Sequence, residues 1–248
     1  MRVVCTLACR VQSSRLYGKP LQLLNIEKNI SILDYLLDHL AATIEIDKTV
    51  LAISEGAENT PFISLAEKRG LSYVIGDEKD VLGRLIAAGE KEHADIVCRI
   101  TSECPFIYME GLKEMLSKHR ENHAALSVIT GLPEGVYFEL INLNDLKRSH
   151  TAGEDRHRSE FCSLYIFEHP ELFKILTLPI SQKTLHRPDI RLTVDYPEDL
   201  IVVREVYKAL KREGKFITIE EIIQYLDQHP ELNNINNWIK AGKSRIWE

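Results

Sequence analysis

Apolar runs of strand length alternate with segments of helical period along the first half of the chain. Residues 3–8, 50–54, 72–75, 96–100 and 125–128 are short and nearly continuous in Val, Ile, Leu, Ala and Cys, whereas 32–42, 62–69, 81–91 and 112–119 space their apolar residues three and four apart. Strands buried on both faces and joined by helical crossovers read this way, so the pattern predicts a βαβ succession and a doubly wound, mainly parallel sheet. After residue 130 the rhythm loosens. GVYFELINL reads as a strand, HTAGEDRHRSE as a polar loop, FCSLYIFEHPELFKIL as a mixed helix and IRLTV as another strand. This describes an excursion, over about 130–190, that leaves the sheet and returns to it. A helix follows over 197–211, with Leu200, Val203, Tyr207 and Leu210 on one face, and another over 219–226, giving a helical tail at about 212–248. No repeat or low-complexity linker divides the sequence, so one domain is expected over 1–248.

Composition narrows the function classes. The chain of 248 residues is 44% hydrophobic and 27% charged, an ordinary globular balance. Its longest apolar runs, such as TVLAIS and LIVV, fall far short of the roughly 20 residues that span a bilayer, and the N-terminus lacks a secretory pattern. The expectation is a cytoplasmic protein with no membrane partner. A formal net charge of −6 and a pI near 5.9 oppose binding of nucleic acid by a general field. The cysteines, Cys5, Cys9, Cys98, Cys104 and Cys162, are odd in number and lack CxxC spacing. They indicate buried thiols, with no disulfide framework and no zinc site. AGKS near the C-terminus lacks the earlier glycine of a phosphate-binding loop.

Ligands of such sheets sit beyond the C-terminal strand ends, and there the sequence is unusual. RVQSSRLYGKPL, residues 10–21, follows the first strand and concentrates Arg10, Ser13, Ser14, Arg15, Gly18 and Lys19 in one connection. Backbone N–H groups, hydroxyls and cations in such a loop suit a polyphosphate. A solvated basic loop is the alternative.

This stretch resembles the R-x-x-S-T-R-L-P-G-K-x-L signature of the cytidylyltransferases that activate acidic sugars, especially the spore coat polysaccharide branch and more distantly the CMP-Kdo and CMP-sialate synthetases. GDEKDVLGRLIAA (76–88), RITSECPFI (99–107) and RLTVDYPEDL (191–200) resemble further family segments in the same order, and PEGVYFELI and SEFCSLYIFEHP echo weaker ones. The similarity covers roughly residues 1–210.

What the resemblance implies is a Rossmann-like, GT-A-like nucleotidyltransferase fold, a three-layer α/β sandwich that uses CTP and an acidic sugar. Arg10, Ser13, Ser14, Arg15 and Lys19 would hold the triphosphate, with Arg15 and Lys19 catalytic; Asp80 and Arg84 would stand near the nucleotide. Glu103 and Asp195 would carry Mg²⁺, and Arg156, Arg158, Glu160 and Arg191 would meet the acceptor. Relatives often dimerise through the excursion, so a homodimer joined along YFELINL is one expectation and an intramolecular strand the other. The implied activity is transfer of CMP from CTP with release of pyrophosphate, for surface polysaccharide biosynthesis. A phosphorylated acceptor, or a family member that binds nucleotide without turnover, are the alternatives.

Local sequence keeps blander readings open. Asp195 precedes Pro197 and stands three residues before Glu198, the pattern of a helix N-cap. Asp80 and Arg84 could form an intrahelical ion pair, and Asp155-Arg156-His157-Arg158 an exposed polar turn. The sequence also departs from the family: Glu103 replaces aspartate, Gln12, Tyr17 and Ser102 stand where glycine, proline and glycine are usual, and the segment at 159–163 lacks a histidine.

Overall fold

The structure, a computed structural model, describes residues 1–239, so AGKS at 241–244 and the end of the expected helical tail lie outside the described residues. In chain order the elements are β1 (Val3–Cys9), β2 (Leu23–Asn25), β3 (Ile30–Ser31), α1 (Ile32–Ala42), β4 (Lys48–Ser54), α2 (Thr60–Arg69), β5 (Ser72–Gly76), α3 (Val81–Lys91), β6 (Ile96–Thr101), α4 (Leu112–Glu121), β7 (Leu126–Thr130), β8 (Glu139–Asn142), α5 (Leu143–Ala152), α6 (Leu164–Glu168), β9 (Ile175–Pro179), α7 (Pro197–Leu210), α8 (Ile219–Gln228) and α9 (Pro230–Asn236).

Among the described residues, seven strands form one sheet in the order β5-β4-β1-β6-β8-β7-β9, with β2 and β3 as a separate hairpin. All neighbours pair parallel except β8, which runs antiparallel between β6 and β7. The chain leaves β1 toward β4 and β5, then crosses back to lay β6 on the other flank of β1. The order therefore reverses between β1 and β6, and the crevice beyond their C-terminal ends is where an open α/β sheet accommodates a ligand.

Strand alternation sends β1 into two cores. Val3, Cys5, Leu7 and Cys9 join one cluster with Leu33 and Leu36 of α1, Leu112 of α4, Val203 of α7 and Ile222 of α8. Val4 and Ala8 face another, against Leu82 and Leu85 of α3 and Leu146 of α5. Helices thus cover both sheet faces, giving three layers. Helix starts are set locally: Ser31 and Asp34 exchange hydrogen bonds at the head of α1, and Thr218 and Glu221 do the same for α8. All the cysteines are free and buried.

The excursion differs from its sequence pattern in three ways. GVYFELINL contributes a strand only over Glu139–Asn142, and the chain turns at once into α5, because Leu143 and Leu146 have helical spacing against α3. FCSLYIFEHPELFKIL is helical only over Leu164–Glu168; His169-Pro170 ends the helix, and Ile175–Pro179 adds β9 alongside β7. IRLTV is not a strand of the sheet, since only Arg191 forms a bridge, to Glu134. Pro133 supplies no donor and Gly135 bends away with φ 91°, so the ladder cannot extend. Of the two expectations for YFELINL, the structure has the intramolecular strand: both sides of β8 are paired within the chain.

One half-buried base makes stability depend on pH. His39 of α1 stacks on Phe216, with ring centroids 4.5 Å apart and planes within 9°. Burial, and secondarily the Lys211 charge, pushes its pKa down to about 4. Unfolded histidine takes a proton near 6.5, so His39 contributes stability that is complete above that value and is lost as pH falls toward 4. At pH 5 the loss is about 2 kcal/mol. Urea titrations at pH 7.5 and 5.0 should therefore show a smaller acid penalty in His39→Phe than in the parent, by about that amount; equal penalties would discard the assignment.

Candidate active site

The connection after β1 is folded back on itself. Val11 N–H donates to Asn59 Oδ1 at 2.9 Å, and Gly18, left-handed at φ 61°, donates its N–H to the Val11 carbonyl at 2.7 Å. This closure returns Lys19 to the cleft from a short turn that opens with Pro20. Lys19 Nζ lies 2.7 Å and Arg15 Nη2 3.0 Å from the same oxygen, Oδ1 of Asp195. The Arg15 guanidinium also sits 5.2 Å from the Tyr196 ring centroid.

Asp195 does not cap α7. That role belongs to Asp199, which is fully buried and whose Oδ2 accepts the N–H groups of Asp195 and Tyr196, each at 2.9 Å. Arg191 is 5% exposed and saturates its fork internally: Nη1 reaches Glu134 at 2.6 Å, Nη2 Asp195 Oδ2 at 2.8 Å, and Nε Asp199 at 2.9 Å. Asn236 of α9 donates to Asp199 Oδ1 and to the Arg191 carbonyl. Gly135 makes this packing possible, since a Cβ there would meet the Thr193 backbone nitrogen at 2.3 Å. Asp195 is thereby held between a buried scaffold behind and two loop cations in front. Burial raises its carboxyl, but Lys19, Arg15 and Arg191 outweigh that and hold it below the usual carboxylate range.

Glu103 stands in the turn after β6, where Ser102 Oγ donates to the Ala8 carbonyl at 2.7 Å and ties that turn to β1. Its own carboxylate accepts a long bond, 3.5 Å, from Ser102 Oγ. Burial, first, and the Asp195 charge push its carboxyl up, against the pull of Lys19. Two carboxylates near enough for the Asp195 charge to raise the Glu103 carboxyl are a chemically suitable pair of hard oxygen donors for a divalent ion. Among the described residues no group of three or more His, Cys, Asp or Glu converges as a metal cage. An ion held here would complete its shell with substrate oxygens and water, as Mg²⁺ usually does.

A solvent-open cleft runs along the ends of β1 and β6; Arg10, Ser13, Lys19, Arg84, Glu103 and Glu160 are among its walls. Arg10 and Glu160 face each other at 3.6 Å, and Ser14 is exposed on the loop beside Ser13. Other expected residues have different partners. Asp80 does not pair with Arg84: its Oδ1 accepts Gly83 N–H at 2.7 Å as the cap of α3, and its Oδ2 meets His150 Nε2 at 2.7 Å. Arg156 is locked fork-to-fork on Glu168 with both bonds at 2.7 Å, and Arg158 pairs with Asp155 at 3.3 Å; neither lines the cleft. Arg191 is turned inward, as described, and touches the Lys19–Arg15 cluster through Asp195.

Several contributors carry no signal in their residue type alone. Arg99 reaches the Glu160 carbonyl at 2.9 Å and Glu139 at 3.3 Å, while Ser163 Oγ donates to the other oxygen of buried Glu139 at 2.7 Å. This network anchors segment 159–163 against β6. Asp199 is the exception: it occupies the third position of a helix opened by proline, where capping arithmetic finds it.

The cytidylyltransferase family model matches residues 4–235. The chain belongs to the cytidylyltransferase family. It is accordingly a CTP-dependent nucleotidyltransferase. Among similar proteins, the spore coat polysaccharide biosynthesis protein SpsF of Bacillus subtilis is 28% identical over 235 residues, covering 92% of this chain and 95% of that one. A cytidylyltransferase structure from Leptospira borgpetersenii superposes with TM-score 0.84 at 21% identity, covering 94% of this chain and 96% of the other. The structure of CMP:2-keto-3-deoxy-manno-octonic acid synthetase complexed with CTP superposes with TM-score 0.64 at 14% identity, covering 84% and 99%. These likenesses show that the cytidylyltransferase fold is shared, with the cleft described above at its sheet's switch point.

Proposed function

We propose that this cytidylyltransferase transfers CMP from CTP to a hydroxyl of an acidic sugar, with Mg²⁺, to supply surface polysaccharide biosynthesis. The observation that carries the reading is the Asp195 carboxylate shared by Lys19 and Arg15, with Lys19 and Glu103 both on the cleft wall and the Asp195 charge felt at Glu103. The similarity to SpsF supports the polysaccharide context.

In this reading Arg10, Ser13, Ser14, Arg15 and Lys19 receive the triphosphate, and Asp195 and Glu103 would hold the metal, which would supply charge neutralisation on the phosphates. The acceptor oxygen bonds to the α-phosphorus, the α–β bridging bond breaks, and pyrophosphate leaves with its electron pair while the hydroxyl proton passes to solvent. The chain contributes position and fixed positive charge, the usual means of assisting transfer at phosphorus. Arg191 keeps Asp195 oriented, Asp80 sets the start of α3 that presents Arg84, and Arg99 fixes the wall bearing Glu160.

Pyrophosphate release with CTP, UTP, ATP and GTP, against a panel of keto-deoxy sugars with and without Mg²⁺, tests the proposal. Release is expected with CTP and an acidic sugar, and only with the metal. A sugar phosphate preferred as acceptor would redirect the assignment, and tight CTP binding without turnover on any acceptor would reduce the protein to a binder. Activity that survives both Glu103→Gln and Asp195→Asn would discard the metal site.

A further inference from the structure

Arg84 is the anomaly of the cleft. Its residue is 3% exposed, yet Nε and Nη1 are buried with no hydrogen-bond partner among the described residues. Among the described residues no carboxylate lies within ion-pair distance of it, although its near neighbour in the sequence, Asp80, is one turn away. That oxygen pair is already committed to Gly83 and His150. The arginine is nevertheless placed with care. Asp80 caps the first turn of α3, His150 of α5 fastens Asp80 from behind, and Gly76 leaves room for the stem, since a Cβ there would meet Arg84 Cγ at 2.9 Å.

A buried guanidinium without a counter-charge costs several kcal/mol. Burial, and less strongly the charge of Arg10, lowers the Arg84 pKa accordingly. Its side chain lines the same cleft as Arg10, Lys19 and Arg99, against apolar Val81 and Leu85. The cleft's acidic groups, Glu103 and Glu160, form no ion pair with Arg84 among the described residues, and Glu160 pairs with Arg10.

We infer that Arg84 is a preformed receptor for one substrate oxyanion, a phosphate or a carboxylate, distinct from the Lys19–Arg15–Asp195 cluster. The inference deepens the cytidylyl-transfer reading and rests on it only for the source of the anion, nucleotide tail or acceptor. Arg84 thus destabilises the ligand-free protein, and the ligand relieves the strain.

The test reads thermal denaturation of the full chain at constant ionic strength, with inorganic phosphate, pyrophosphate or pyruvate as probes, for the parent, Arg84→Met and Lys19→Met. Without ligand, Arg84→Met should melt higher than the parent by a few degrees, because an apolar group of similar length replaces an unpaired buried charge. At least one probe should raise the parent's melting temperature through a site whose affinity falls about tenfold or more in Arg84→Met, the effect of losing charge-assisted hydrogen bonds. That probe's effect should persist in Lys19→Met. Loss confined to pyruvate would identify an acceptor carboxylate; loss of the phosphate or pyrophosphate effect would identify a phosphate group. The inference is overturned if Arg84→Met melts below the parent, if no probe stabilises the parent, or if every probe effect survives the Arg84 change. Turnover is not measured, so a failed search for the acceptor leaves the result intact.

Discussion

Asp195→Asn should lower kcat by on the order of 10³-fold with CTP while leaving metal-free CTP binding equal or tighter. The two effects oppose each other because Asp195 plays against the triphosphate before it serves the reaction. In the ligand-free protein its Oδ1 occupies both Lys19, at 2.7 Å, and Arg15, at 3.0 Å. An arriving polyphosphate must share these cations and approach the carboxylate's own charge. Asparagine keeps the shape and removes that charge, so the cations become more available and the repulsion ends. Turnover then fails because the proposed metal loses one of its two acidic ligands and the cations lose the anchor that aims them. Loss of a single preorganised electrostatic group costs about 10²–10³ in rate, and a metal ligand adds to that. Stopped-flow or calorimetric CTP binding in chelator, set beside pyrophosphate release in Mg²⁺, gives both numbers. Parallel weakening of binding and rate would show instead that Asp195 is a scaffold for the loop and nothing more.

The layered fold was legible because its signals are local. Strand-length apolar runs and helical spacing up to residue 128 correspond to β1, β4 to β7 and α1 to α4, with boundaries displaced by only a residue or two. The excursion was opaque because tertiary pairing decides it: β8 is a strand because β6 and β7 flank it, and Ile175–Pro179 becomes β9 because β7 offers an edge. Within the site, the residues after β1 and β6 were visible through charge and hydroxyl density at strand ends. What could not be read was who faces whom. Arg191 and Arg84 look alike in sequence, yet one is surrounded by three carboxylates and the other by none. Asp195 and Asp199 both suit a helix start, and only the position of Pro197 assigns the cap to the second. Arg156, arginine-rich surroundings notwithstanding, is neutralised by Glu168, twelve residues away, a pairing no spacing rule anticipates.

Arg191→Met should destabilise the protein by about 3–5 kcal/mol in urea unfolding at pH 7.5, the second large effect. Arg191 is 5% exposed and binds Glu134, Asp195 and Asp199, of which Asp199 is fully buried. Removing one member of a buried ionic network leaves the others uncompensated, which costs far more than the pair itself contributed. Arg191→Lys should recover only part, because an ammonium cannot reproduce the fork that reaches three carboxylates at once. The pH dependence identifies the cause. In the parent, Asp195 has a depressed pKa, so its contribution is present above about pH 4 and is lost as pH falls through the folded value. Without Arg191 that depression diminishes, and the Asp195 carboxyl takes up its proton at higher pH in the folded state. Acidification then relieves the variant while it penalises the parent, and the stability gap should narrow between pH 6 and pH 4. A gap that is constant with pH would mean that Arg191 matters through its packed stem, with the charges irrelevant. The same substitution frees Asp195 Oδ2, so a loss of turnover larger than the loss of folded protein follows from the positioning role, whereas strictly proportional losses would confine Arg191 to stability.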